Sequence, residues 1–189
     1  LDHLRNYLSD LQRAIAAVDV EAVVRLRAAC AQARDEGRQI FVCGNGGSAA
    51  TASHLANDLG KGASYGRARR FRVLSLTDNV PWMTALANDV DYSAVFAEQL
   101  RNLAQPGDLL IAISGSGNSP NVLQAVTVAR ELGLVTAGLT GFGGGRLAGL
   151  VDHPVVVDSH HMGRVEDIHL IVVHLICYYF MEASQQDAA

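Results

Sequence analysis

Apolar positions follow two different periods along this chain, and the switch comes near residue 38. Before it, Leu4, Leu8, Leu11 and Ile15, then Val20, Val23, Val24, Leu26 and Ala29, recur at helical spacing, which predicts two leading helices hinged near Asp19. After Arg38, the short β-rich runs QIFVC, FRVLSL, DLLIAIS, LVTAGLT and HPVVVD are each separated by a segment with helical periodicity. Continuous apolar strands alternating with helices predict an α/β fold, a parallel sheet of five strands covered by helices on both faces. A last apolar helix is predicted from about Arg164 to about Ala183. One polar stretch, GKGASYGRARR at residues 60–70, interrupts the alternation. It reads as a solvated surface loop, with a lid bringing Lys61, Arg67, Arg69 and Arg70 to an anionic ligand as the alternative.

Composition narrows the class. Hydrophobic content of 49% with 18% charged residues over 189 positions is that of one globular domain, neither disordered nor membrane-like. A single domain over 1–189 is expected, with residues 1–37 as helices that pack on it and on partner subunits. The leading helices and the apolar closing helix LIVVHLICYYF offer more hydrophobic face than a five-stranded sheet needs to cover itself, which predicts oligomerisation. A formal net charge of -4 argues against nonspecific binding to nucleic acid or anionic membrane. An anionic ligand must therefore be gripped locally. No apolar run reaches the roughly 18 residues of a membrane span, and LDHLRNYLSDLQRAIAAVD is amphipathic rather than a signal peptide, so a cytoplasmic protein is expected. Cys30, Cys43 and Cys177 lie far apart in apolar segments and read as buried small hydrophobes.

Two strand-to-helix turns carry unusual chemistry. The first is Gly44-Asn45-Gly46-Gly47-Ser48 after QIFVC, and the second is Ser114-Gly115-Ser116-Gly117-Asn118-Ser119 after DLLIAIS. Ligands of open parallel sheets sit beyond the carboxyl ends of the strands. Glycines let backbone N–H groups approach a ligand there, and each following helix presents unpaired N–H groups at its positive end. Ser119 followed by Pro120 forms an N-cap and first-turn pair, which places its hydroxyl beside Ser114 and Ser116. The pattern is neither the nucleotide-triphosphate loop nor the dinucleotide fingerprint. Three hydroxyls suit a monoester phosphate, and the competing explanation is a tight turn chosen for backbone geometry.

Histidine and carboxylate pairs complete the candidate chemistry. His54 and Asp58, at i and i+4 on the helix that begins near Ser48, share a face. His54 lies roughly 9 Å from the anion-binding helix end at about 1.5 Å per residue. Glu166 and His174, eight residues apart on the last helix, stand about 80° apart around its axis. Together they offer either a four-ligand divalent metal site or a general acid and base set. His169 reads as structural, and the doublet His160 and His161 carries no assignment.

CGNGGS, HLANDL, ANDVDY, ISGSGNSPNVLQA, LTGFGGGRLAGLVD and RVEDIHLIVVHLI, in this order over residues 5–183, resemble the sugar isomerase (SIS) domain and, within it, the phosphoheptose isomerase branch. The resemblance implies a three-layer, flavodoxin-like αβα sandwich and isomerisation of sedoheptulose 7-phosphate to a manno-heptose 7-phosphate. It also implies a homotetramer with sites at subunit interfaces. Substrate contacts are implied at Asn45, Gly46, Gly47, Ser48, Asn88, Asp89, Ser114, Gly115, Ser116, Ser119 and Glu166. A zinc or acid and base site is implied at His54, Asp58, Glu166 and His174, with one zinc per subunit and with Asp58, Glu166 and His174 as catalytic groups. Asp58 stands where the family usually has glutamate, and Glu166 where it usually has glutamine. Such changes open an alternative, since some SIS relatives act as tetrameric interaction proteins, one type binding a replication initiator, or as sugar-phosphate sensors.

Overall fold

The computed structural model describes residues 1–186, with side chains through residue 182. Two helices lead, α1 at Asp2–Ala16 and α2 at Val20–Asp35. Asp19 separates them and accepts a hydrogen bond from the Ala22 N–H at 3.0 Å, so the expected hinge is an N-cap. Five strands follow: β1 at Gln39–Gly44, β2 at Arg72–Ser75, β3 at Leu109–Ser114, β4 at Val135–Thr140 and β5 at His153–Val156. The intervening helices are α3 at Gly47–Asn57, α4 at Val80–Asp89, α5 at Ala97–Leu103 and α6 at Pro120–Glu131, and α7 at Met162–Gln186 closes the chain.

All five strands are parallel, in the order β2-β1-β3-β4-β5. The two edge strands are shorter than the runs FRVLSL and HPVVVD, because an edge strand has a pairing neighbour on one side only. Side chains of a strand alternate between faces, and each face here has its own core. Ile40, Val42, Ile111, Ile113 and Leu139 pack with Leu26 of α2, Ala52 and Leu55 of α3, and Val165, Ile168, Val172 and Ile176 of α7. Phe41, Cys43, Leu110 and Ala112 pack with Leu100 of α5 and Val122, Val126 and Ala129 of α6 on the other side. This is the three-layer arrangement that strands without polar alternation require.

The three cysteines are free and buried as expected, and burial pushes the Cys30 and Cys43 thiols up to about 12. Helix α1 is the exception to good packing: only Ala14 is buried, while Leu1, Leu4 and Leu8 face outward. Among the described residues no helix is long and apolar enough to cross a membrane.

Candidate functional site

The strand order reverses between β1 and β3, and the turns after these two strands are the glycine-serine segments. A sheet that reverses at this point opens a crevice there. In the first turn, Gly46 adopts φ +54°, and α3 starts at Gly47 without a side-chain cap, so its leading N–H groups stay available. A Cβ at Gly47 would lie 2.5 Å from Glu166 Oε1; the glycine is what lets the Glu166 carboxylate sit over the start of α3. Ser48 is buried against Gly44 rather than opening to solvent.

In the second turn, Gly117 at φ +66° lies so close to the Gly144 carbonyl that any Cβ would overlap it. Ser119 is the N-cap and Pro120 the first residue of α6, yet the Ser119 hydroxyl makes no cap bond. It pairs instead with Ser114 Oγ at 3.1 Å. Ser116 Oγ accepts from the Asn118 N–H at 3.2 Å. Gly115 is packed so tightly against Met162 and Val165 of the α7 segment that a Cβ would collide with the Met162 sulfur.

Side-chain amides join the two turns, a feature that sequence reading did not find. Asn45 Nδ2 donates to Asn121 Oδ1 at 2.9 Å, Asn121 Nδ2 donates to Asn45 Oδ1 at 2.8 Å, and the Tyr92 hydroxyl donates to Asn45 Oδ1 at 3.0 Å. The only available signal was that Asn121 follows Ser119-Pro120 directly. Asn88 and Asp89 end α4 in solvent, with Asn88 Nδ2 donating to Asp89 Oδ1 at 2.8 Å.

His54, Asp58 and His174 meet. His54 Nε2 lies 3.0 Å from His174 Nε2 and 3.1 Å from Asp58 Oδ2, and one ligand atom from each of the three falls within 4.8 Å of the others. Asp58 opens a π-helical turn, Asp58–Gly62, that extends α3; single π-turns are frequent at functional sites. The chemistry of this donor set fits a divalent metal, since two imidazole nitrogens and a carboxylate are a common zinc set with one position left open. Glu166 stands outside this group. Eight residues on a helix leave Glu166 and His174 on neighbouring faces but about 12 Å apart along the axis. Of the four side chains expected to converge, His54, Asp58 and His174 come together, and the Glu166 carboxylate lies instead over the start of α3.

The remaining candidates lie away from this cluster. His169 is 1% exposed, and neither ring nitrogen has a hydrogen-bond partner among the described residues. Burial holds it down at about 4, and the Thr140 backbone, outside hydrogen-bonding geometry, offsets a part of this. His160 and His161 pack edge-on against Phe142 and Tyr7. In the polar stretch, Arg67 donates to the Phe180 and Met181 carbonyls of α7, and Arg69 pairs with Asp35 at 3.3 Å. These two cations are thereby committed to the scaffold. A cleft of about 450 Å³ lies between α1 and the start of α7, lined by Asp10, Arg13, Asp158, His160 and Arg164 among others, and none of the expected site residues borders it.

The sheet order and the paired turns define an open α/β domain with glycine-serine turns at its topological switch point, flanked by a histidine and carboxylate cluster. The SIS domain profile matches residues 3–141. The phosphoheptose isomerase of Paramagnetospirillum magneticum is 42% identical over 157 residues, covering 83% of this chain and 81% of that protein. A probable phosphoheptose isomerase of Thermoplasma acidophilum is 36% identical over 173 residues, covering 92% and 94%. The solved structure of the phosphoheptose isomerase GmhA from Neisseria gonorrhoeae superposes with a TM-score of 0.86 at 31% identity, covering 95% of this chain and 97% of that one. The chain belongs to the SIS domain family and, within it, to the phosphoheptose isomerases.

Proposed function

We propose that this protein is an aldose-ketose isomerase that converts sedoheptulose 7-phosphate into a D-glycero-manno-heptose 7-phosphate through a cis-enediolate. One observation carries the reading: helix α3 runs from the glycine turn, where the Glu166 carboxylate lies, to His54 and Asp58, where it meets His174 of α7. One rigid element thus aligns polar groups for the hydroxyls and the carbonyl end of a sugar whose phosphate lies in the adjacent serine turn. Relatives and a solved structure bearing the name phosphoheptose isomerase support it.

The carboxylate of Glu166 over Gly47 repels a second anion, so the phosphate belongs in the turn of Ser114, Gly115, Ser116 and Ser119. Asn45, Gly46, Gly47 and Glu166 then face the sugar hydroxyls. The reacting carbons lie at the end of the chain opposite the phosphate, which favours Asp58 over Glu166 as base. Asp58 takes the proton from C1 and returns it to C2, while His174 moves the proton between the C2 and C1 oxygens. In the alternative, His54, Asp58 and His174 would hold a zinc ion, one per subunit, and such an ion would supply, in place of the His174 relay, a Lewis acid that polarises the carbonyl. Asn88 and Asp89, exposed on their own chain, are assigned to a site shared between copies in a homotetramer. Three free buried cysteines suit a reducing, cytoplasmic setting.

Incubation with sedoheptulose 7-phosphate and zinc in deuterated buffer tests the reading. Aldose product with solvent deuterium at C2 is expected. If neither product nor exchange forms, this substrate is rejected, and an interaction role for the altered SIS domain takes its place.

A further inference from the structure

Both oxygen lone pairs of the Asn45 side chain are occupied within the protein, one by Asn121 and one by Tyr92. The amide orientation is not free. Asn121 Oδ1 accepts from the Val122 N–H at 3.0 Å, which fixes which end of that amide is oxygen and hence how Asn45 must face it. Asn121 is 1% exposed and sits in the first turn of α6, so it cannot swing away. One N–H of Asn45 goes to Asn121 Oδ1, and an amide nitrogen has two. A single N–H therefore remains, on a half-buried side chain at the lip of the crevice.

We infer that Asn121 and Tyr92 are positioning residues that hold Asn45 as a donor-only contact, so that it selects an acceptor oxygen of the bound sugar phosphate and couples the two anion-binding turns. Without them the amide can rotate and present its oxygen, which meets the acceptor oxygens of the sugar unfavourably. The pairing also gives Tyr92 a purpose. It stands three residues beyond Asp89 and ties that segment to the first turn. The inference rests on the reading of these turns as a sugar-phosphate site.

The test is a double-mutant cycle on Asn121→Ala, Tyr92→Phe and Asn45→Ala, read as KM and kcat for sedoheptulose 7-phosphate. Asn121→Ala is expected to raise KM about 10-fold and Tyr92→Phe about 3-fold, the loss of oriented hydrogen bonds to a charged ligand, with kcat within about 2-fold of wild type. In the Asn45→Ala background each is expected to add less than about 2-fold, because the group through which it acts is gone. Full additivity in that background, or a fall in kcat with KM unchanged, overturns the inference. Tyr92 is half exposed, so Tyr92→Phe reports even where Asn121→Ala folds poorly. If the wild type fails to turn over this sugar but is stabilised against heat by it, the same cycle is read on affinity for the sugar phosphate, and the reaction alone is wrong. Neither turnover nor stabilisation by the sugar phosphate overturns both readings.

Discussion

At the scale of single residues, His169 shows how the core constrains titration. Its ring is buried with both nitrogens unpartnered among the described residues, and burial lowers it from 6.5 to about 4. The folded protein therefore binds this proton less readily than the unfolded chain does. Between pH 6.5 and about 4 the unfolded state carries the extra proton, so folding stability falls as pH falls through that window and is unaffected above it. The full effect at pH 4 is about 3 kcal/mol, at about 1.4 kcal/mol per pH unit. Urea midpoints measured from pH 7 to pH 4 are expected to drop less steeply in His169→Leu than in wild type; parallel curves would contradict the assignment. Sequence reading placed His169 as structural on helical position alone. It reached Asn45 through its glycine turn but not Asn121 or Tyr92, because an asparagine in a helix N-terminus and a tyrosine after a helix have ordinary local roles. Only the meeting of residues 45, 92 and 121 in space gives them another.

At the scale of elements, Gly117 of the serine turn does more than Gly37, which only links α2 to β1. Gly37 and Gly117 both take positive φ, +68° and +66°, but a Cβ at Gly37 would meet nothing within 4 Å while one at Gly117 would overlap a backbone carbonyl. Gly37→Ala is expected to cost about 1 to 2 kcal/mol, the left-handed penalty alone. Gly117→Ala adds a backbone collision and is expected to cost at least about 2 kcal/mol more, lowering the thermal midpoint by a further 4 °C or so and loosening the serine turn. Equal midpoints in the two variants would show that the turn yields easily. The strands were legible because five apolar runs without alternation have no stable place outside a covered parallel sheet. The reach of α7 was less so. Angular position around a helix follows from residue count, but whether Glu166 and His174 serve one point depends also on the 12 Å or so between them along the axis and on what packs alongside. Here Gly47 leaves room for the Glu166 carboxylate.

At the scale of the whole molecule, the unburied face of α1 stands out. Leu1, Leu4 and Leu8 are 89%, 63% and 60% exposed, and Leu175, Tyr178 and Tyr179 of α7 are about half exposed. Fully covering a leucine stabilises by about 1.5–3 kcal/mol, enough in aggregate to favour association of copies through these helices. Sedimentation at micromolar concentration is expected to show a tetramer, and the double variant Leu4→Asp, Leu8→Asp a smaller species with its fold retained by circular dichroism. A wild-type monomer would remove the shared site assigned to Asn88 and Asp89.

The sequence by itself determined the layers, the five strands, the two turns and the pairing of His54 with Asp58, because each is written in local periodicity or in spacing within one element. Tertiary structure alone decided that of Glu166 and His174 it is His174 that meets that pair, that Glu166 faces the start of α3, and that Asn121 and Tyr92 grip Asn45. Those contacts link residues 47 to 120 positions apart, and a chain's pattern records which face a side chain takes but not which distant face it will meet.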